Sequence, residues 1–347
     1  MTSQPIILSI IIISHNQRSE LKRCVDSVLA QNIPFEYEII LSDDRSDDGT
    51  FELAKEYEIR FPNIIKASQC NSDVCNPANN SQRSGYNRCN GYKLTTGKYI
   101  AHADADDYFI EGSHIYQRQV EMLEKHPECS LCMQNVWILK EGDPIETGRE
   151  WGPQSRFDDG RIISAEEFIK GDYFILNQAF IQRRNPNSDP TALYGKRYVD
   201  SIITYHHLLF GPIVCVDACD YIYMKHPDAV TTSMKLNDIT VLWNLQIYIS
   251  AVVPDFADMQ IKCKPYEILL LVNQIRQGIK ISDTAKNSLN GLDVFLYHCC
   301  QKSQLDKCEK IRLFVSRIAL LCLIHFHLNT KCMRKLIYNL VITTKKR

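Results

Sequence analysis

An apolar run from Ile6 to Ser14, followed by Leu21, Cys24, Val25, Val28 and Leu29 at helical spacing, limits the possible folds more than any other feature of the chain. A run with no polar alternation marks a strand covered on both faces, and the helix after it must carry the chain back across the sheet. The unit then repeats. Tyr37 to Leu41 reads as a strand, Phe51 to Phe61 as a helix, Ile64 to Ala67 as a short strand, Asn87 to Thr95 as a helix and Tyr99 to Ala103 as a strand. Repeated βα units imply an α/β fold with a mostly parallel sheet flanked by helices, and such sheets bind ligands at the carboxyl ends of their strands.

Beyond Asp107 the pattern loosens. Ile115, Gln119, Val120 and Leu123 share one helical face that ends before Pro127, and Leu131 to Leu139 reads as one strand. Ser164 and Glu167 form an S-x-x-E capping box at the start of a short helix. Ala179 to Gln182 reads as a strand and Asp200 to Leu209 as a helix, and from about residue 236 the chain reads as helical to its end.

Composition excludes several classes. With 347 residues, 45% of them hydrophobic, the chain can build a sizeable core, so a disordered chain is ruled out. Forty basic residues against 41 acidic ones do not make a nucleic-acid binder. The segment Ile6 to Ile13 has no basic lead and no cleavage site, so it is expected to be a strand rather than a secretory signal. Leu313 to Leu328 is broken by Ser316, Arg317, His325 and His327 and falls short of the roughly 20 apolar residues a membrane span needs. A cytoplasmic, reducing location is therefore expected, in which the fourteen cysteines stay as thiols. Cys129 and Cys132 form a CxxC with no second pair at zinc-site spacing, and like Cys299 and Cys300 they are expected to be buried as small apolar residues.

Two acidic clusters stand at strand ends: Asp43-Asp44-Arg45-Ser46-Asp47-Asp48-Gly49-Thr50 and Asp104-Ala105-Asp106-Asp107. Massed carboxylates repel one another unless a cation or hydrogen-bond donors lie between them. For the first cluster, a solvated turn with Asp48 or Thr50 capping the next helix is an equally good account. An EF-hand reading of Asp44, Ser46, Asp48 and Gly49 fails because Lys55 stands where the bidentate Glu belongs. D-x-D followed by another Asp in the second cluster suits a hard cation.

Together these residues resemble a family 2 glycosyltransferase of the GT-A fold. The resemblance runs through Ile10-Ile11-Ile12-Ile13-Ser14-His15-Asn16, Asp43-Asp44-x-Ser46-x-Asp48-Gly49-Thr50, Arg88-x-x-Gly91 with Gly97-x-Tyr99-Ile100, and Asp104-x-Asp106-Asp107. It implies a Rossmann-like GT-A catalytic domain over residues 1–235, with a nucleotide-sugar half (1–110) and an acceptor half (111–235); residues 236–347 lie outside the resemblance and are expected, from their own pattern, to form a helical C-terminal extension. It further implies that the Ile13 backbone and the Asp43-Asp44 pair serve the nucleotide base, with Asp44 accepting from a ring N–H, and that Arg88 lies near the diphosphate or sugar. Asp104 would face the ribose or sugar, Asp106 would bind Mn²⁺ or Mg²⁺, and His226, after Tyr223-Met224-Lys225, would reach the diphosphate or metal. Asp200 is the implied catalytic base, with Val199 where the family has Glu and with Asp172 as the fallback. Cys89 and Arg45 also depart from the family pattern, at positions usually Asn and Gly. Trp151 and Tyr173 could stack on an acceptor sugar or serve only the core.

The resemblance thus predicts a metal-dependent inverting enzyme moving a sugar from a nucleotide donor to a glycan or lipid-linked saccharide. A UDP-sugar is the expected donor because Asp44 suits a pyrimidine N–H, and dTDP satisfies the same contact. The rivals are a sugar-phosphate nucleotidyltransferase, which would need a Gly-rich basic loop where Ser14-His15-Asn16-Gln17 stands, and a non-catalytic binding scaffold on the same fold. From Leu305 to Arg347 ten Lys or Arg stand against two acids. This tail fits either a helix at the anionic inner face of a membrane or a helical subdomain packing on the enzyme or a second subunit.

Overall fold

A computed structural model of the chain describes residues 4–70, 80–140, 142–144, 148–151, 158–170, 177–187, 189–191 and 199–226. The expected C-terminal helices, together with Asp172 and Tyr173, lie outside the described residues. One compact unit comprises Met1–Ala165 and Phe174–Thr232.

The first half follows the apolar spacing. Strand β1 (Leu8–Ser14) is buried at every position, and helix α1 (Arg18–Leu29) turns Leu21, Cys24, Val25 and Val28 inward. Then come β2 (Tyr37–Asp43), α2 (Thr50–Arg60), β3 (Ile65–Gln69), α3 (Asn80–Lys93) and β4 (Tyr99–Asp104). Strand β1 lies between β2 and β4, parallel to both, and β3 adds to β2. That central place accounts for the missing polar alternation, because both faces are covered and each large apolar side chain contributes about 1.5–3 kcal/mol. Helix α3 lies against β1 and β2. At Gly91 an added Cβ would stand 2.5 Å from Ile11 Cγ2, so the glycine one turn after Arg88 is a packing requirement of that helix.

The second half supplies β5 (Tyr108–Phe109), α4 (Ile115–Lys125), β6 (Leu131–Met133), β7 (Val136–Lys140), β8 (Arg149–Trp151) and β9 (Ile162–Ile163). Helix α5 (Ala165–Lys170) begins just after Ser164. A 3-10 turn (Asn177–Ala179) then leads into β10 (Phe180–Arg183), and α6 (Val199–Leu208), β11 (Ile213–Cys215) and β12 (Tyr221–Lys225) complete the described chain. The large sheet has the order β3-β2-β1-β4-β10-β6-β11-β9, and a small one β5-β12-β7-β8. In the large sheet only β10 and β9 run against the other strands.

One expected strand is in fact two. Leu131 to Leu139 breaks at Gln134-Asn135, with β6 in the large sheet and β7 in the small one. The Gln134 N–H donates to the Ala179 carbonyl (2.9 Å) and the Asn135 N–H to the Ala218 carbonyl (3.0 Å), so adjacent residues bond in different directions where the chain changes sheet. Apolar content does not register the change, because Leu131, Cys132, Met133, Val136 and Leu139 are buried in either sheet. Arg183 closes the end of α4 by donating to the Leu123 carbonyl (2.5 Å), one that the helix leaves without an intrahelical partner, and to the carbonyls of His126 (3.2 Å) and Cys129 (3.0 Å) in the turn that follows.

Cys129 and Cys132 are buried free thiols, as expected. Cys70 departs from that expectation: it is disulfide-bonded, and its partner is not among the described residues. Compartment governs whether a pair oxidises, whereas the fold governs whether a pair is brought within reach. Among the described residues no helix is long and apolar enough to cross a membrane.

Candidate active site

The register pairs Ser14 with Asp43 and Ile13 with Asp104, so β2, β1 and β4 end level with one another. Here the chain order reverses across the sheet, which is where open α/β sheets bind ligands. The Ile13 carbonyl accepts the Ala105 N–H (3.0 Å), and the Ser14 carbonyl accepts the Asp44 N–H (2.9 Å), tying both acidic turns to the end of β1.

In the first turn, neighbouring carboxylates do different work. Asp43 is buried and faces its own loop: its oxygens accept from the Ser46 N–H (2.9 Å), the Ser46 hydroxyl (2.5 Å), Gln69 Nε2 (3.1 Å) and, more weakly, the Ser14 hydroxyl (3.4 Å). Asp48 accepts from the N–H groups of Arg18 (3.2 Å) and Thr50 (3.0 Å), at the starts of α1 and α2. The turn account of this cluster therefore holds for Asp48, whereas Asp43 serves the same turn from a buried rather than a solvated place. It does not hold for Asp44, whose oxygens accept from Arg83 Nε (2.8 Å) on one side and from Arg45 Nε and Nη2 (3.2 Å each) on the other. The Asp44 carbonyl accepts from His15 Nδ1 (2.8 Å), and His15 Nε2 lies 3.3 Å from the Arg83 guanidinium. Arg45 has φ +55°, a left-handed conformation that explains why a glycine suits this position.

The second turn gathers the remaining acids. Among the described residues Asp104, Asp106 and Asp107 form the one cluster of His, Cys, Asp or Glu that could hold a metal ion, with ligand atoms all within 4.8 Å of one another. Asp107 is buried and faces inward: it accepts from the Tyr221 hydroxyl (2.8 Å) and the Met224 N–H (2.8 Å), which pins β12 to the turn. Two residues past Met224, His226 Nε2 stands 3.5 Å from Asp106 Oδ2. Burial, then the charges of Asp106 and Asp104, push the Asp107 carboxyl well above the usual range, against the pull of its two donors. For Asp106, burial and the neighbouring Asp104 raise the pKa to about 6, against the opposing charges of His226 and Arg88. Arg23 of α1 donates to the Asp106 carbonyl (2.8 Å) and holds the turn from outside.

Asp104, on β4, is gripped from two sides. Buried Arg88 of α3 reaches one oxygen (2.5 Å), and Gln178, from the turn before β10, donates its Nε2 to the other. The structure thus brings Ile13, Asp44, Arg88, Asp104, Asp106 and His226 to one set of strand ends, and turns Asp43 away. Asp200 is the second residue of α6, within its first turn.

The sequence model described as "Glycosyl transferase family 2" matches residues 9–195, more than half of the chain. The chain belongs to this family. The fold is similar to that of S. aureus TarS 1–349 in its crystal structure in complex with UDP-GlcNAc, with a TM-score of 0.59 at 16% identity, covering 98% of this chain and 92% of that one. An uncharacterized Mycobacterium tuberculosis protein, Rv1520, is 25% identical over 64% of this chain and 60% of its own length. A Bacillus spizizenii poly(ribitol-phosphate) β-glucosyltransferase is 26% identical over 64% of this chain and 32% of its own. The chain therefore matches less than two thirds of the length of these two relatives.

Family 2 enzymes of this fold generally use divalent cations, and the donor set here fits one. Asp104 and Asp106 are hard oxygen donors, both part-exposed, at the mouth of a cluster whose charges disfavour one another. Burial and the Asp104 charge both work against the ionised Asp106, and a cation beside it would offset them. The signals for Arg23, Arg83 and Gln178 were weaker: each is a lone polar residue outside the family motifs.

Proposed function

We propose that the chain is a metal-dependent inverting glycosyltransferase that moves a sugar from a UDP-sugar to a saccharide or lipid-linked saccharide acceptor in polysaccharide biosynthesis. The observation that carries this reading is the level row of strand ends, with a carboxylate between two arginines at β2 and a part-exposed pair of carboxylates at β4. Residues 1–110 would hold the donor and 111–235 the acceptor. UDP-GlcNAc in the TarS crystals supports the donor class, and the glucosyltransferase relative supports a polymeric acceptor.

In this reading Asp44, held by Arg45 and Arg83, presents a lone pair to a ring N–H of the pyrimidine, beside the backbone of Ile13. Asp106, with Asp104 and His226 beside it, would hold a Mn²⁺ or Mg²⁺ ion, which neutralises the charge that develops on the leaving diphosphate. Arg88 fixes Asp104 for contact with the ribose or sugar. Asp200 would take the proton from the acceptor hydroxyl as that oxygen attacks the anomeric carbon opposite the diphosphate.

The test is Asp200→Asn assayed for transfer from a panel of UDP-sugars. The expected result is a fall in kcat of about 10²–10⁴-fold with UDP binding unchanged. Transfer at the wild-type rate would remove Asp200 from the mechanism.

A further inference from the structure

Gln178 has one buried polar atom that the protein does not satisfy. The residue is 5% exposed, its Nε2 donates to the Asp104 carboxylate, and its Oε1 has no hydrogen-bond partner. The Nε2–Asp104 hydrogen bond sets the amide orientation: the NH₂ group faces Asp104 and the oxygen faces away. Leaving a buried acceptor unpaired is costly enough that such a group calls for an explanation, and a ligand donor is one. The backbone that carries it is well fixed, since the Ala179 carbonyl accepts from the Gln134 N–H (2.9 Å) and from Gln119 Nε2 (3.3 Å).

Its place in the sheet suggests which donor. Along the order β2-β1-β4-β10, the base-side carboxylate Asp44 follows β2, Asp104 and Asp106 lie at β4, and Gln178 comes one strand farther, at the start of β10. Strand β10 is antiparallel to β4, so its beginning lies beside the end of β4. A nucleotide-sugar laid with its base at β2 and its diphosphate at β4 brings the transferred sugar toward β10. We infer that Gln178 is a specificity-determining residue that reads a hydroxyl of the transferred sugar with Oε1 while its Nε2 holds Asp104. The inference rests on the donor reading above.

The test uses the full chain and compares the dissociation constants of UDP, UDP-glucose, UDP-galactose and UDP-N-acetylglucosamine, each with Mn²⁺, in wild type, Gln178→Met and Gln178→Glu. Methionine keeps the volume without the acceptor, so the fold should be retained. The expected result in Gln178→Met is that the ratio of UDP-sugar to UDP dissociation constants rises about tenfold for at least one sugar, the size of one lost hydrogen bond. In Gln178→Glu, which keeps an acceptor but sets a second carboxylate against Asp104, UDP and UDP-sugars should weaken together. Unchanged ratios for all three sugars in Gln178→Met overturn the inference, as does an equal weakening of UDP and UDP-sugars in that variant. Failure of wild type to bind any of the four would instead remove the donor reading itself.

Discussion

Asp106→Asn is expected to abolish the Mn²⁺ dependence of nucleotide binding while leaving the metal-free protein at least as stable as wild type. The two effects share one cause. Burial and the Asp104 charge raise the Asp106 pKa to about 6, so the carboxylate is held ionised at pH 7 at a cost. An acid whose folded pKa is raised contributes stability at low pH, and that contribution is lost as pH climbs from the unfolded value to the folded one. Asparagine carries no such charge, so at pH 7 the metal-free variant should gain up to about 3 kcal/mol, less whatever solvent reaches the group. In wild type the proton competes with the metal: Mn²⁺ affinity should be nearly flat above about pH 7 and fall roughly tenfold per pH unit below 6. Calorimetric Mn²⁺ titrations at pH 5, 6 and 7 would show this slope in wild type and no binding in the variant. A variant that still binds Mn²⁺ with wild-type affinity would contradict the assignment.

Asp107→Ala should act differently, although the residue adjoins Asp106. It strands the Tyr221 hydroxyl and the Met224 N–H in the interior, both of them donors to Asp107 at 2.8 Å. With two buried donors left unpaired, the expected net destabilisation is about 2 kcal/mol. Because β12 also carries His226 to Asp106, the metal-dependent gain from UDP should shrink as well. Asp107→Asn, which keeps one acceptor oxygen, should fall between wild type and the alanine variant in chemical denaturation. Equal stability of all three proteins would show that the tie to β12 contributes nothing.

The contrast between these neighbours shows what the sequence could and could not convey. The unbroken run through Ile13 announced a central strand, because covering both faces removes any reason for polar residues. Gly91 was legible as part of a motif, but its reason, the nearness of Ile11, needed coordinates. Asp43 and Asp44 looked like a pair. Successive residues at a strand end point to opposite sides, and that periodicity alone could have separated the inward Asp43 from Asp44. The split of Leu131 to Leu139 had no comparable signal, since apolar residues suit either sheet and only Gln134-Asn135 marks the change. Arg83 was hidden because α3 begins at Asn80 in a stretch of Asn, Ser and Gln that reads as loop.

A chain that holds a pyrimidine nucleotide through a divalent cation at the ends of β1, β2 and β4 should be stabilised by the two ligands together. Thermal unfolding with UDP, dTDP, GDP and CMP, each with and without Mn²⁺, tests it most directly, because a ligand bound only by the folded state must raise the transition temperature. The account predicts stabilisation by UDP, and to some degree by dTDP, only when Mn²⁺ is present. A shift with GDP alone, or none with any nucleotide in a cooperatively folded sample, would contradict it.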